Sequence, residues 1–384
     1  MARHSPLASV AALAAAVVGM GVLTGCAGPS APQTATPSAI TAPSASAAPN
    51  GVVPTGTPTD VVTGLASPWS ILRVSNTLTL VSERDTGAIE RLTASGGLEK
   101  IGTVPGVVHN GEGGLLGLAF LEASPGTRTS WLYAYETTAS DNRIVRMSLS
   151  DGFALGPPQV ILKGLATANH HDGGRIAFGP DGMLYATVGD AGDTSHSQDL
   201  SSLNGKILRM TPTGDVPKSN PFPGSLIWSY GHRNPQGLAW DSSGQLYAAE
   251  FGQDTWDEFN KITAGSNYGW PIVEGIAHDP RFVDPLVQWP TDDASPSGLV
   301  YVNGTFFLAG LGGKRLWVIN VDAAGAASAA ALYVGAYGRL RDVAVGPESG
   351  SLPSLWMLTD NTDGRGSPKP GDDRILQVAL TAVP

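Results

Sequence analysis

The stretch Asn169 to Arg175 reads NHHDGGR: two histidines, an acid and a Gly-Gly-Arg run. Residues of these types can act as a general base, as metal ligands, or as a polar turn whose imidazoles bond only to backbone. Asp190 closes the apolar run LYATVGD further on, and Asp172 is a sequence neighbour of the two histidines. Cationic groups gather elsewhere. Arg339 and Arg341 flank Leu340 in GRLRD, so an extended backbone would turn both guanidiniums to one side. Forked guanidiniums in that arrangement suit planar carboxylates, although a solvated edge pair would look the same. Arg233 and Asn234 precede Pro235, which disfavours helix at Asn234 and extends the chain there.

These residues are far apart in sequence, so repeated elements must bring them together. One pattern recurs: an apolar run, a turn rich in Gly, Pro, Asp or Asn, then a second β-rich run. The clearest copies are IAFGPDGMLYATVGD from Ile176, LAWDSSGQLYAAEFG from Leu238 and VAVGPESGSLPSLWMLTD from Val343. Looser copies begin at Ile71, Leu116 and Leu299. Six copies roughly 45 to 60 residues apart suit a four-stranded unit repeated around an axis. The chain is therefore expected to be all-β, a six-bladed β-propeller; a pair of β-sandwiches fits the repeat count less well. In a propeller, loops at one face converge on a central channel, which can collect chemistry from distant segments.

Composition agrees with many short strands and turns. Of 384 residues, 49 are Gly and 29 Pro, with 42% hydrophobic and only 15% charged. The formal net charge of -10 is the wrong sign for a phosphate backbone, so no nucleic-acid partner is expected.

The N-terminus is a targeting segment. Arg3 precedes an apolar run from Leu7 to Leu23, which ends in Leu23-Thr24-Gly25-Cys26. This resembles a bacterial lipoprotein signal, with residues 1–25 removed and Cys26 lipidated; a plain secretory signal is the alternative. Cys26 is the sole cysteine, so no disulfide within the chain is possible. A lipid there would hold the protein on the extracytoplasmic face of the cell membrane without spanning it. Residues 26–59 form a Pro/Ser/Thr/Ala tract poor in large apolar side chains, expected to be a disordered tether. The propeller is placed at 60–384.

Five stretches in fixed order now carry a resemblance: HNGEGGLLGLAF from His109, the HHDGGR segment with its following strands, YGHRNPQGLAW from Tyr230, EFGQDTWDEFNKITAGSNYGWP from Glu250, and GRLRDVAVGP from Gly338. Together with the segment from Leu65 they resemble the soluble quinoprotein glucose/sorbosone (aldose sugar) dehydrogenases from about Leu65 to Leu380. The resemblance implies a propeller that binds pyrroloquinoline quinone (PQQ) and Ca²⁺ at the channel mouth. The implied reaction oxidises the C1 hydroxyl of an aldose to the lactone.

On that resemblance His171, three before Gly174, is the base and Asp190 its orienter, with Asp172 as the rival for the orienting role. Arg233 and Asn234 contact the quinone oxygens, where a guanidinium would stabilise developing negative charge. Arg339 and Arg341 grip cofactor carboxylates, and Lys314 is a further cofactor contact found in some members only. Consecutive carbonyls corresponding to Gly252 and Gln253 hold the quinone-bound calcium; the family member compared has Pro in place of Gln253. Glu258 and the Tyr268 carbonyl are candidate ligands of a further structural ion. Glu112 stands beside the sugar site where members often have Gln, adding a charge near the quinone. Electrons are expected to leave for an external acceptor, because the sequence shows no haem motif and no further Cys. Two other readings remain at this stage: a non-catalytic, surface-displayed binding propeller, and a calcium-dependent lactonase-type hydrolase. The latter would need neither the Arg-x-Arg pair nor a base His beside Gly-Arg.

Overall fold

The structure is a computed structural model that describes residues 51–124 and 129–383. Cys26, the signal segment and most of the tether lie outside the described residues. Among the described residues the chain forms six four-stranded antiparallel sheets and a single helical turn, Ser195–Gln198. The innermost strands are Pro68–Arg73, Leu115–Leu121, Ile176–Phe178, Asn234–Trp240, Pro296–Val302 and Leu340–Ser349, in blades 1 to 6. The inner hairpin of each blade packs against that of the next, and the last returns to the first. The expected six-bladed propeller is thus the fold. The six sequence repeats are the inner hairpins of the six blades, for example Ile176–Phe178 with Leu184–Val188.

The inner hairpins are the most apolar parts of each blade because they are covered by neighbours on both faces. Leu184–Val188 is buried along its whole length, and so is Thr305–Gly310. Side chains from adjacent blades interdigitate between the sheets. Trp69, Leu116, Tyr135 and Val188 belong to one such cluster, and Phe306, Phe259 and Trp317 to another.

The tether ends earlier than position 59. Val52–Thr63 is a strand that pairs antiparallel with Arg374–Ala382, with Val52 opposite Ala382 and Thr63 opposite Arg374. It completes blade 6 as the outermost strand, joining the two ends of the ring. Its sequence hides it: Pro54, Pro58 and a run of exposed threonines resemble the preceding tract. An outermost strand needs only one edge for the ladder, however, so it tolerates proline. Val52 is fully buried and its N–H donates to Thr305 Oγ1 in the neighbouring blade, 2.9 Å away. A chain starting at Asp60 is therefore expected to lose about 2 kcal/mol or more relative to one starting at Gly51. At this size that lowers the melting temperature by about 3 °C or more; equal melting curves would show that the strand contributes nothing.

Buried charge also makes stability depend on pH. Glu136, 3% exposed on strand Ser130–Thr137, is pushed up to about 7 by burial, with Arg143 opposing. Because the folded value lies above the ordinary 4.5, its contribution is fully present below about pH 4.5 and is lost as pH rises toward 7. Glu136→Gln should flatten that part of the profile by about 1 to 3 kcal/mol. Denaturant titrations at pH 4.5 and 7.5 would check it, and an unchanged slope would remove Glu136 from the account.

Candidate functional site

All six inner strands start at the same face, and the loops leading into them converge on a cavity of about 330 Å³ at the channel mouth. Glu112 precedes the inner strand of blade 2, His171 that of blade 3, Arg233 and Asn234 open that of blade 4, and Arg339 and Arg341 open that of blade 6. All six line the cavity.

His171 adopts a left-handed backbone conformation, φ +64°, which costs a residue with a Cβ something and is held by its surroundings. Its N–H donates to Glu112 Oε2 at 2.8 Å, and its carbonyl accepts from Ala191 N at 3.2 Å. The turn that follows needs glycine: at Gly173, φ +67°, a Cβ would stand 2.6 Å from the Thr187 carbonyl oxygen. The imidazole Nδ1 lies 2.7 Å from Asp190 Oδ1. Asp190 is fully buried and also accepts from Gly192 N at 2.8 Å and from Trp270 Nε1 at 2.9 Å. Burial alone would raise its pKa, but the bonds from His171, Gly192 and Trp270 outweigh burial and hold it below the ordinary value. An ionised Asp190 fixes the proton of His171 on Nδ1 and leaves Nε2 as an acceptor.

The neighbouring histidine and acid do other things. His170 is exposed, its ring edge-on to that of His171 at 4.2 Å. Asp172 turns toward blade 2, where its carboxylate accepts from Asn142 Nδ2 at 2.8 Å and Thr167 Oγ1 at 2.9 Å. Arg175 bolts four blades together in the channel. Its guanidinium donates to the Gln236 carbonyl (3.0 Å), Ser70 Oγ (3.2 Å) and Asp342 Oδ2 (3.0 Å), over the face of Trp69. The acid of GRLRD is therefore occupied in holding the ring.

Arg233 is fixed by Gln253, whose Oε1 accepts from Nε at 2.9 Å and Nη2 at 2.6 Å. Asn234 Oδ1 accepts from Gly173 N at 3.0 Å, tying blade 4 to the His171 turn. Arg339 pairs with Asp363 (Nη2 to Oδ2, 2.8 Å) and Arg341 with Asp360 (2.7 Å). Burial pushes Asp360 up to about 6 against the pull of Arg341. Asp363 stays below the ordinary value because Arg339 and Arg341 together outweigh its burial. Asp257 also lines the cavity; burial pushes it up to about 7, although it accepts from Gly252 N and Ser295 N.

The loop at Gly252 and Gln253 is organised by Glu274, whose Oε1 accepts from the N–H groups of Gln253 (2.6 Å), Asp254, Thr255 and Trp256 (3.2 Å each). The carbonyls of Gly252 and Gln253 belong to the first two of those peptides and, being anti to the N–H, point away from Glu274. Both residues line the cavity. Glu258 is buried; it accepts from Asn260 Nδ2 (2.9 Å) and Gly275 N (2.8 Å), and burial with nearby Glu250 raises it to about 8. Glu258, Glu250 and Tyr268 border a second, much smaller space of about 10 Å³. Among the described residues no three His, Cys, Asp or Glu side chains converge as a metal-ligand group.

Lys314 is not brought to the cavity. It sits exposed, φ +50°, in the turn between Thr305–Gly310 and Arg315–Val321, and only Leu311 of that turn lines the space. Conversely, sequence reasoning missed Gln236, Asp257, Asp360, Asp363 and Arg365. The last three come from TDNTDGRG, which follows a strand; its density of acids and Gly beside an Arg was the available signal.

The propeller mouth joins an acid-oriented histidine to several guanidiniums, an arrangement suited to accepting a proton beside a bound anionic group. The chain belongs to the glucose/sorbosone dehydrogenase family, whose family model matches residues 65–368, and is a sugar oxidoreductase. It is 30% identical to the uncharacterized protein slr1608 of Synechocystis sp. over 354 residues, covering 79% of this chain and 84% of the other. To the aldose sugar dehydrogenase YliI of Escherichia coli it is 28% identical, over 78% of this chain and 89% of the relative. Among solved structures, the PQQ-bound aldose sugar dehydrogenase of Streptomyces coelicolor is 50% identical, with a TM-score of 0.78 over 86% of this chain and all of that one.

Proposed function

We propose that this chain oxidises the C1 hydroxyl of an aldose to the lactone, with PQQ and Ca²⁺ as cofactors, and passes the electrons to an external acceptor. The observation that carries the reading is the Asp190–His171 pair opening on the same cavity as Arg233, Arg339 and Arg341.

The residues present fit a tricarboxylate quinone. Each of the three arginines has one edge of its guanidinium held by Gln253, Asp363 or Asp360, so it is oriented in advance while still lining the cavity. Bound there, PQQ supplies the two-electron acceptor that the side chains lack. The carbonyls of Gly252 and Gln253 are hard oxygen donors suited to calcium, and Gln253 keeps the carbonyl that the family's proline also has. Glu258 with the Tyr268 carbonyl would hold a second ion, whose charge would lower the cost of burying that carboxylate.

On this reading the chain's own residues handle the proton and the developing charge. A substrate hydroxyl at His171 Nε2 gives up its proton as the C1 hydrogen leaves with its electron pair. Asp190 stabilises the imidazolium so formed and keeps the ring in place, and Arg233 offsets the negative charge that develops opposite. The Asp190–Trp270 bond prevents the acid from following the ring.

Adding PQQ and Ca²⁺ to a soluble chain that begins at Ala48 tests the reading, followed by a panel of aldoses with an acceptor dye. A change in quinone absorbance and sugar-dependent dye reduction are expected. Binding without turnover would remove the dehydrogenase step, and no binding would favour a non-catalytic propeller. We further propose that Cys26 carries a lipid and that residues 27–50 tether the domain outside the cytoplasmic membrane. Metabolic labelling with a fatty acid, lost in Cys26→Ser, is the expected result.

A further inference from the structure

The cavity mouth holds an ion pair with no part in the scheme above. Glu112 Oε1 lies 2.9 Å from Arg365 Nη1, joining the loop before blade 2 to the last connection of blade 6. The pair is graded in exposure: the Glu112 side chain is 21% exposed and that of Arg365 51%. Glu112 is held from beneath, because its Oε2 accepts from His171 N at 2.8 Å and lies 3.5 Å from Asn234 Nδ2. Arg365 is held from behind. Its N–H donates to Asp363 Oδ1 at 2.9 Å, while Asp363 Oδ2 takes Arg339. Both residues line the cavity with His171 and Arg233.

We propose that Arg365, paired with Glu112, reads the ring hydroxyls of the sugar remote from C1 and so determines specificity for polyhydroxylated aldoses. This rests on the dehydrogenase reading. A carboxylate and a guanidinium 2.9 Å apart present an acceptor beside a forked donor, the complement of two adjacent hydroxyls, each of which both donates and accepts. The position is apt as well. Glu112 bonds the backbone of the base itself, and Glu112 and Arg365 line the same cavity as His171, so a sugar whose C1 hydroxyl meets the His171 ring has its other hydroxyls in the space that the pair borders. Pairing also answers the concern raised by a carboxylate near the quinone. Burial would raise Glu112, but the His171 N–H and Arg365 outweigh it, and the negative charge is balanced locally.

The test uses the full chain loaded with PQQ and Ca²⁺, with two readouts. One is kcat and KM for the aldose that turns over fastest. The other is equilibrium binding of 1,5-anhydro-D-glucitol, a sugar ring without the oxidisable hydroxyl, followed by the absorbance of the bound quinone. In Arg365→Ala, KM and the dissociation constant of the anhydro sugar should both rise about tenfold. The loss should fall on KM more than on kcat, quinone affinity should be kept, and Arg365→Lys should recover part of the loss. Unchanged constants in Arg365→Ala would overturn the proposal while leaving the dehydrogenase reading in place. Full recovery in Arg365→Ala with Glu112→Gln would overturn it too, by showing that Arg365 only neutralises Glu112. A wild-type chain that takes up no quinone would overturn both.

Discussion

Replacing His171 with Ala should lower sugar-dependent acceptor reduction by about a hundredfold to ten-thousandfold while quinone binding stays nearly intact. The split follows from the site. The His171 ring contacts Asp190, and its backbone N–H, which holds Glu112, survives the substitution. Asp190 keeps its bonds to Trp270 and Gly192, so the acid is not stranded. Quinone absorbance titrations and steady-state rates on one preparation would separate the two effects. Loss of quinone binding in His171→Ala would make His171 a ligand or a structural residue instead.

The second large effect is expected in blade 6. Arg339→Ala with Arg341→Ala should weaken quinone binding by about a hundredfold or more, since two charge-assisted contacts to carboxylates are worth about 1.5 to 3 kcal/mol each. The same variant should also melt lower, because Asp363 and Asp360 are buried and would lose their partners. Breaking a buried pair from one side costs about 3 to 5 kcal/mol. A compensated variant separates the causes: Arg341→Met with Asp360→Asn removes both charges. It should keep most of the wild-type melting temperature yet still bind the quinone about tenfold or more weakly, since the Arg341 contact is gone while Arg339 stays. Undiminished affinity in either variant would refute the assignment.

The inner hairpins were legible in the sequence because their apolar runs are dictated by burial on both sides, as in Leu184–Val188. The outer strand Val52–Thr63 was not, since an edge position imposes little pattern and its prolines resemble linker. At the site, the groups with an unusual residue type in a fixed local frame could be found: His171 before Gly-Gly-Arg, Arg339 and Arg341 in alternation. Their partners could not, because which carboxylate meets which guanidinium depends on how blades close on one another. Asp363 and Asp360 lie some twenty residues from the arginines they hold, and Arg365 lies 253 residues from Glu112. Gln253 shows the opposite failure. Read for its carbonyl alone, it proves to use its side chain to fix Arg233.

The clasp between Val52–Thr63 and Arg374–Ala382 sets the order in which the site can come into being. Blade 6 takes one strand from the beginning of the domain and three from its end, so the first segment made waits unpaired for the last. Arg339, Arg341, Asp363 and Arg365 all arrive with that last blade. A partly synthesised chain therefore has His171, Asp190 and Arg233 in hand but lacks the guanidiniums of Arg339, Arg341 and Arg365 that complete the cavity. On the proposed function, a cofactor held by those arginines would load only once the ring is whole, and its uptake would report on completed assembly of the domain.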